Sequence, residues 1–347
     1  MLNTDPPSRR RVSVVSVVTL VALGGAVICG LAIGPTPIAT SRILGFLLSR
    51  VGIGHSTLST LQSTIIWQLR APRLVLGLLA GAMLSVAGGT YQGIFRNPLA
   101  DPYLLGVAAG AGLGATFAIM DVGGGNYTPS WTPLLAFAGA LAAVGVTWAI
   151  GGRGLRSSAA TLILAGVAVS ALLTSMQTFL QQQASATSIA RVYIWLLGSL
   201  ASASWSSVGL VAPYVLVCIA ICVACGRALD VMSVGEDESR SLGVPVRRVR
   251  IIAVGASSLG TAAIVSAVGL IGFVGIIVPH IVRLLVGTSY RRILPISVAF
   301  GAAFLVFADT IARTVIAPSE LPLGVVTALV GAPVFVVILG LRRQVAR

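Results

Sequence analysis

Long apolar runs dominate the chain, and short polar segments separate them. The runs fall at residues 12–34, 74–95, 103–120, 133–150, 159–181, 207–226, 249–270, 272–288, 293–313 and 322–341. Each approaches the roughly 20 apolar residues that a helix needs to cross a bilayer. The pattern predicts an all-α polytopic membrane protein of about ten transmembrane helices, forming one domain over residues 1–347. Small residues recur at four-residue spacing, as in Gly77-Leu-Leu-Ala-Gly81 and Gly110-Ala-Gly-Leu-Gly114. Such spacing lets helix backbones approach closely where lipid supplies no hydrophobic drive for association. One run stands apart: Gly269–Gly287 is interrupted by Pro279, His280 and Arg283 and studded with Gly269, Gly272 and Gly275. Broken, glycine-rich membrane helices are what transport proteins use to pack closely and line a path.

Composition agrees with the pattern. Hydrophobic residues make up 56% and charged residues 9%, against roughly 25% charged in soluble proteins. The net charge of +14 comes entirely from arginine, because the chain has no lysine. These arginines sit in short loops, where topology explains them better than a nucleic-acid footprint does. Arg9-Arg10-Arg11 precede an apolar run too long for a secretory h-region of about 7–15 residues. A retained first span with a cytoplasmic tail over 1–11 follows. Alternation then gives the cytoplasmic side Arg96, Arg153, Arg156, Arg227, Arg240, Arg247, Arg248, Arg250, Arg291, Arg292 and the C-terminal arginines. The outer side holds only Arg42, Arg50, Arg70, Arg73, Arg191 and Arg313. This asymmetry predicts both termini inside.

Polar segments carry the remaining information. Residues 35–72 lie outside and contain an amphipathic piece, Ile38 to Val51, suited to the membrane surface. The inner segment 227–248 holds Glu236, Asp237 and Glu238 in a row. A turn at Gly235 and a short helix through Leu242, stopped by Gly243 and Pro245, make a compact docking element; a solvated loop is the plainer alternative. Between the second and third spans, Asn97-Pro98 ends one helix, and Asp101 as N-cap with Pro102 after it starts the next. Cys222-Val-Ala-Cys225 lies in an apolar helix without acidic or histidine company and is read as packing. His55 and His280 lie far apart in the sequence, and neither sits in a cluster of His and Cys. Without lysine the chain cannot form a standard Walker A loop, and nothing in it suggests a metal site or a nucleophile triad.

Four ordered blocks carry a resemblance: QGIFRNPLADPYLLG at Gln92–Gly106, GEDESRSLG at Gly235–Gly243, GFVGIIVPHIVRL at Gly272–Leu284 and ELPLGVVTALVGAP at Glu320–Pro333. The chain resembles the FecCD-like permease subunits of type II ABC importers, which import ferric siderophores, haem and cobalamin. The resemblance implies a second permease subunit (homodimer or heterodimer), two ATPase subunits that hold ATP-Mg, and an extracytoplasmic substrate-binding protein. It implies no cofactor in this chain and a place in the bacterial cell membrane. Arg70, Arg73 and Arg313 match elements that dock acidic residues of the binding protein; membrane anchoring and an i,i+4 pair of Arg313 with Asp309 are the plainer readings. Gly235, Glu236, Asp237, Leu242 and Gly243 match the ATPase coupling helix, with Glu236 and Leu242 the first choices for contact. Ser157, Ser158 and Thr161 fall at the family's cytoplasmic gate, although with fewer hydroxyls than other members. Asn97, Pro98, Asp101, Pro102, Pro279 and His280 belong to its structural motifs. Ferric siderophore is the leading substrate, with haem or cobalamin open. An ion-gradient-driven transporter is the rival class, but it calls for intramembrane carboxylates or histidines, and Asp309 is the only acid clearly inside a span.

Overall fold

The computed structural model describes residues 9–34, 36, 38–120, 131–151 and 159–345. Among them every regular element is a helix. Ten helices match the predicted spans: α1 (Arg9–Ala32), α4 (Ala71–Phe95), α5 (Val107–Met120), α6 (Trp131–Gly151), α7 (Ala159–Gln182), α9 (Trp205–Ala224), α12 (Val246–Val268), α13 (Val274–Val286), α14 (Tyr290–Ala312) and α15 (Leu323–Val345). Seven apolar helical segments are long enough to cross a membrane, and α5, α13 and the apolar part of α15 are shorter. Between the spans lie α2 (Thr40–Arg50), α3 (Thr60–Thr64), α8 (Ala186–Leu196), α10 (Gly226–Met232) and α11 (Glu236–Ser241).

The bundle is built around α4. From Ala80 to Phe95 every residue of this helix is buried, packed among α9, α12, α13 and α14. Its glycines permit backbone contact. A Cβ at Gly81 would overlap the carbonyl of Gly301 on α14, and one at Gly88 would overlap that of Gly275 on α13. A second glycine contact, Gly110 against Gly139, joins α5 to α6. The small-residue spacing seen in the sequence thus marks true helix crossings, where close approach replaces the missing hydrophobic drive.

The break between α12 and α13 is stitched by backbone and tyrosine. Gly269 (φ 73°) and Phe273 (φ 68°) turn the chain. The Tyr103 hydroxyl donates to the Ile271 carbonyl at 3.0 Å and accepts from the Ile271 amide at 3.1 Å. Ser199 N–H donates to Val268 O, and Leu323 and Gly324 donate to Gly198 and Leu197, all at 2.8–3.0 Å. Non-helical backbone at membrane depth persists only when it is satisfied in this way.

Two boundaries differ from the sequence reading. The second span begins earlier, because α3 and a π-helical turn at Ile65–Arg70 run directly into α4. The Trp67 carbonyl there accepts from Trp205 Nε1 at 2.8 Å. Asp101 does not cap α5. Its carboxylate accepts from Tyr103 N–H at 2.6 Å and caps a turn, and α5 starts only at Val107, after Gly106 at φ 86°. The extra turn is what carries Tyr103 to the broken segment.

Gly88→Ala is expected to destabilise the bundle by about 1–3 kcal/mol, since a backbone carbonyl cannot rotate out of the way. Gly145→Ala, which meets nothing within 4 Å, serves as the neutral control. Thermal unfolding in detergent micelles compares the two, and equal midpoints would show that the Gly88 contact carries no packing energy.

Candidate functional site

The chemistry of the described residues collects at the two ends of the bundle. At one end, which the sequence reading assigns to the outside, Arg73 is forked between two carboxylates. Its Nε and Nη2 lie 2.8–3.1 Å from Asp309 on α14, and Nη1 and Nη2 lie 2.8 and 2.9 Å from Glu320. Arg313, 3.8 Å from the same Asp309, also donates to the Gly30 carbonyl. Arg70 donates to the Leu31 carbonyl at 2.7 Å and to the Ala32 and Thr36 carbonyls. Arg70 and Arg313 are each 5% exposed. The carbonyls left open at the end of α1 therefore receive guanidinium donors, and cations suit that helix end. The three outward arginines are brought together, with their charged groups turned into the protein.

Glu320 closes this cluster from the loop before α15. Its hydrogen bonds to Arg73 hold its carboxyl below the ordinary value of 4.5, against the opposing effect of burial. Nothing in the sequence near Glu320 announces Arg73, which lies 247 residues away.

At the opposite end, α11 forms as the sequence predicts. Glu236, Asp237 and Glu238 occupy its first turn, where acids are favoured. Leu242 follows the last turn and is 69% exposed, and Gly243 adopts φ 80°. Ser239 Oγ donates to the Val231 carbonyl at 2.9 Å and holds α11 against α10. Glu236 is not a free surface acid. One of its oxygens accepts from Arg240 at 2.9 Å, and the other from Arg250 of α12 at 3.0 Å. Burial alone would raise its pKa, but Arg250 and Arg240 outweigh that effect and the net shift is downward. Asp230 of α10, a residue the motifs do not point to, caps α14. It accepts from Ser289 Oγ at 2.7 Å and from the Tyr290 amide.

The Tyr290 hydroxyl accepts from Arg283 at 2.9 Å, and Arg283 also donates to Gln92 of α4 at 3.1 Å. Pro279 lies over Gly89 of α4, and His280 beside it is buried. Asn97 accepts from Leu99 N–H at 2.9 Å in the turn that contains Pro98. Of the gate candidates, Thr161 is exposed in the first turn of α7; Ser157 and Ser158 lie outside the described residues. Among the described residues, no group of three or more His, Cys, Asp and Glu side chains is placed to hold a metal.

Among the described residues, nine spans gathered about a tenth, the buried glycine-rich α4, with a short polar helix at one face, have the architecture of a membrane permease rather than of a single anchor. The chain belongs to the FecCD transport family, whose profile matches residues 20–340. It is 43% identical over 279 residues to the cobalamin import system permease BtuC of Halobacterium salinarum, covering 79% of this chain and 73% of that protein. It is 42% identical over 283 residues to the uncharacterized ABC transporter permease YvrB of Bacillus subtilis, covering 80% and 79%. The vitamin B12 import system permease BtuC of Escherichia coli is 37% identical over 272 residues, covering 78% and 82%. A solved metal-chelate type ABC transporter in an inward-facing conformation superposes with a TM-score of 0.82 at 27% identity, covering 93% of this chain and 98% of that one. The protein is thus the permease subunit of an ABC importer, a class in which a separate subunit hydrolyses ATP.

The two acids on Arg73 should differ sharply. Asp309→Asn removes a buried partner and is expected to cost about 3–5 kcal/mol, whereas the half-exposed Glu320→Gln should cost about 1 kcal/mol or less. Because the folded pKa of Glu320 lies below the unfolded one, its stabilisation is complete above the unfolded value and is lost as pH falls through the folded value. The difference in unfolding midpoint between wild type and Glu320→Gln should therefore be flat from about pH 8 to pH 5 and shrink below that. A difference that already shrinks near neutral pH would contradict the pairing.

Proposed function

We propose that this permease imports a bulky metal chelate of the corrinoid type, with cobalamin the first substrate to test. The observation that carries the path is the open face of α7. Thr174, Ser175, Thr178 and Gln182 are exposed along a membrane helix, and polar side chains of a span belong at an aqueous path or a helix interface. A second permease copy facing α7 would enclose a route wide enough for a chelate. Two relatives named for cobalamin or vitamin B12 import, at 43% and 37% identity, favour a corrinoid. The metal-chelate class of the structural neighbour keeps ferric siderophore as the second reading.

In this reading both termini face the cytoplasm of a bacterial cell, and α11 meets an ATPase subunit that holds ATP-Mg. The substrate-binding protein docks at the outer arginines. Because Arg73 is already occupied, docking there is an exchange: a partner carboxylate displaces the half-exposed Glu320, while Arg70 and Arg313 hold the end of α1. Glu320→Gln should then leave binding of the substrate-binding protein at least as tight as in wild type, with affinity falling as salt is added. Clearly weaker binding of Glu320→Gln at low salt would argue against exchange.

Uptake of labelled cobalamin, ferric siderophore and haem in cells lacking the gene, with and without the plasmid-borne chain, tests the substrate. Cobalamin uptake should disappear and return with the chain. Loss of siderophore uptake with cobalamin uptake intact would overturn the corrinoid reading in favour of the second one.

A further inference from the structure

The coupling role of the segment containing α11 rests on the proposed function, and the geometry refines which residues perform it. Leu242 presents an exposed apolar side chain at the end of α11. Glu236 does not face outward in the same way. It spans from Arg240 on its own helix to Arg250, whose side chain is 10% exposed on α12. Asp230 fixes the root of the segment to the first turn of α14. Behind the Glu236–Arg250 pair lies a cavity of about 310 Å³, whose walls include Phe95 and Arg96 at the end of α4 and Ala160 at the start of α7.

We propose that the Glu236–Arg250 pair is the link through which movement of α11 reaches the membrane helices, with Leu242 making the ATPase contact. A charge-assisted bond holds a fixed geometry, so α12 must follow α11 when a partner displaces it. The Asp230 cap supplies the pivot. The cavity leaves room for the pair to shift toward the first turn of α7 without a clash against packed side chains. Glu236 is in this view a positioning residue rather than a surface contact. Its partner Arg250, which no motif singled out, matters equally.

The test uses the complete reconstituted complex, with the ATPase subunits, the substrate-binding protein and labelled cobalamin in proteoliposomes. Arg250→Gln should keep the ATPase bound and hydrolysing within about twofold of wild type, while substrate moved per ATP falls at least about tenfold, equivalent to 1.4 kcal/mol. The charge swap Glu236→Arg with Arg250→Glu, made in an Arg240→Gln background so that the new arginine meets no like charge on its own helix, should recover most of that coupling ratio, which a merely structural role for either residue would not do. Leu242→Ala should instead release the ATPase. An unchanged ratio in Arg250→Gln, loss of the ATPase from that variant, or no recovery in the swap would each overturn the inference. A wild-type complex that neither assembles with the ATPase nor transports would overturn the proposed function and the inference together. With an active wild-type complex, the variants report on the pair alone.

Discussion

Backbone contact along α4 is the constraint from which the rest of the architecture follows. In lipid, apolar side chains gain nothing by leaving one apolar environment for another, so helices associate through close packing and hydrogen bonds. Gly81 against Gly301 and Gly88 against Gly275 bring α14 and α13 onto α4 at distances that no side chain permits. The second crossing sits at the first turn of α13, next to the break in the chain. Packing and discontinuity are thereby joined: the segment 269–273 is anchored on one side by glycine contact and on the other by Tyr103.

Around this rigid axis, the ionic groups are sorted by the membrane boundary. Asp309, among the described residues the one acid within a span, is bound to Arg73 and lies near Arg313. An isolated intramembrane acid would be free to carry protons, as in gradient-driven transporters; this one is committed to holding the outer ends of α1, α4 and α14 together. At the opposite end of the bundle the acids serve the segment between α9 and α12. Asp230 caps a helix, and Glu236 bridges two.

The open surfaces complete the picture. α7 shares fewer contacts with the buried axis than α12 or α14 does, and its polar residues Thr174, Ser175, Thr178 and Gln182 are exposed, while Gln177 is buried against α5. Leu242 stands exposed beyond the last turn of α11. A chain that buries its central helix from Ala80 to Phe95 and leaves these parts uncovered is suited to work inside a larger assembly.

The number and rough position of the spans were legible in the sequence, because crossing a bilayer requires a long apolar run whatever the neighbours are. The stop signals around α11 were legible for a similar reason: Gly235, Gly243 and Pro245 act locally. The four-residue glycine spacing showed that helices would touch, but not which ones. What the tertiary structure decided is the pairing of distant residues. Arg73 with Glu320, Glu236 with Arg250, Asp230 with the start of α14 and Tyr103 with Ile271 join segments whose local sequences carry no mark of one another. Asp101 shows the limit from the other side, since its local signal for a helix start was correct chemistry applied to a turn. Hydropathy and capping are properties of a short stretch of chain, whereas an ion pair exists only once packing has set two helices side by side, and that information resides in the fold.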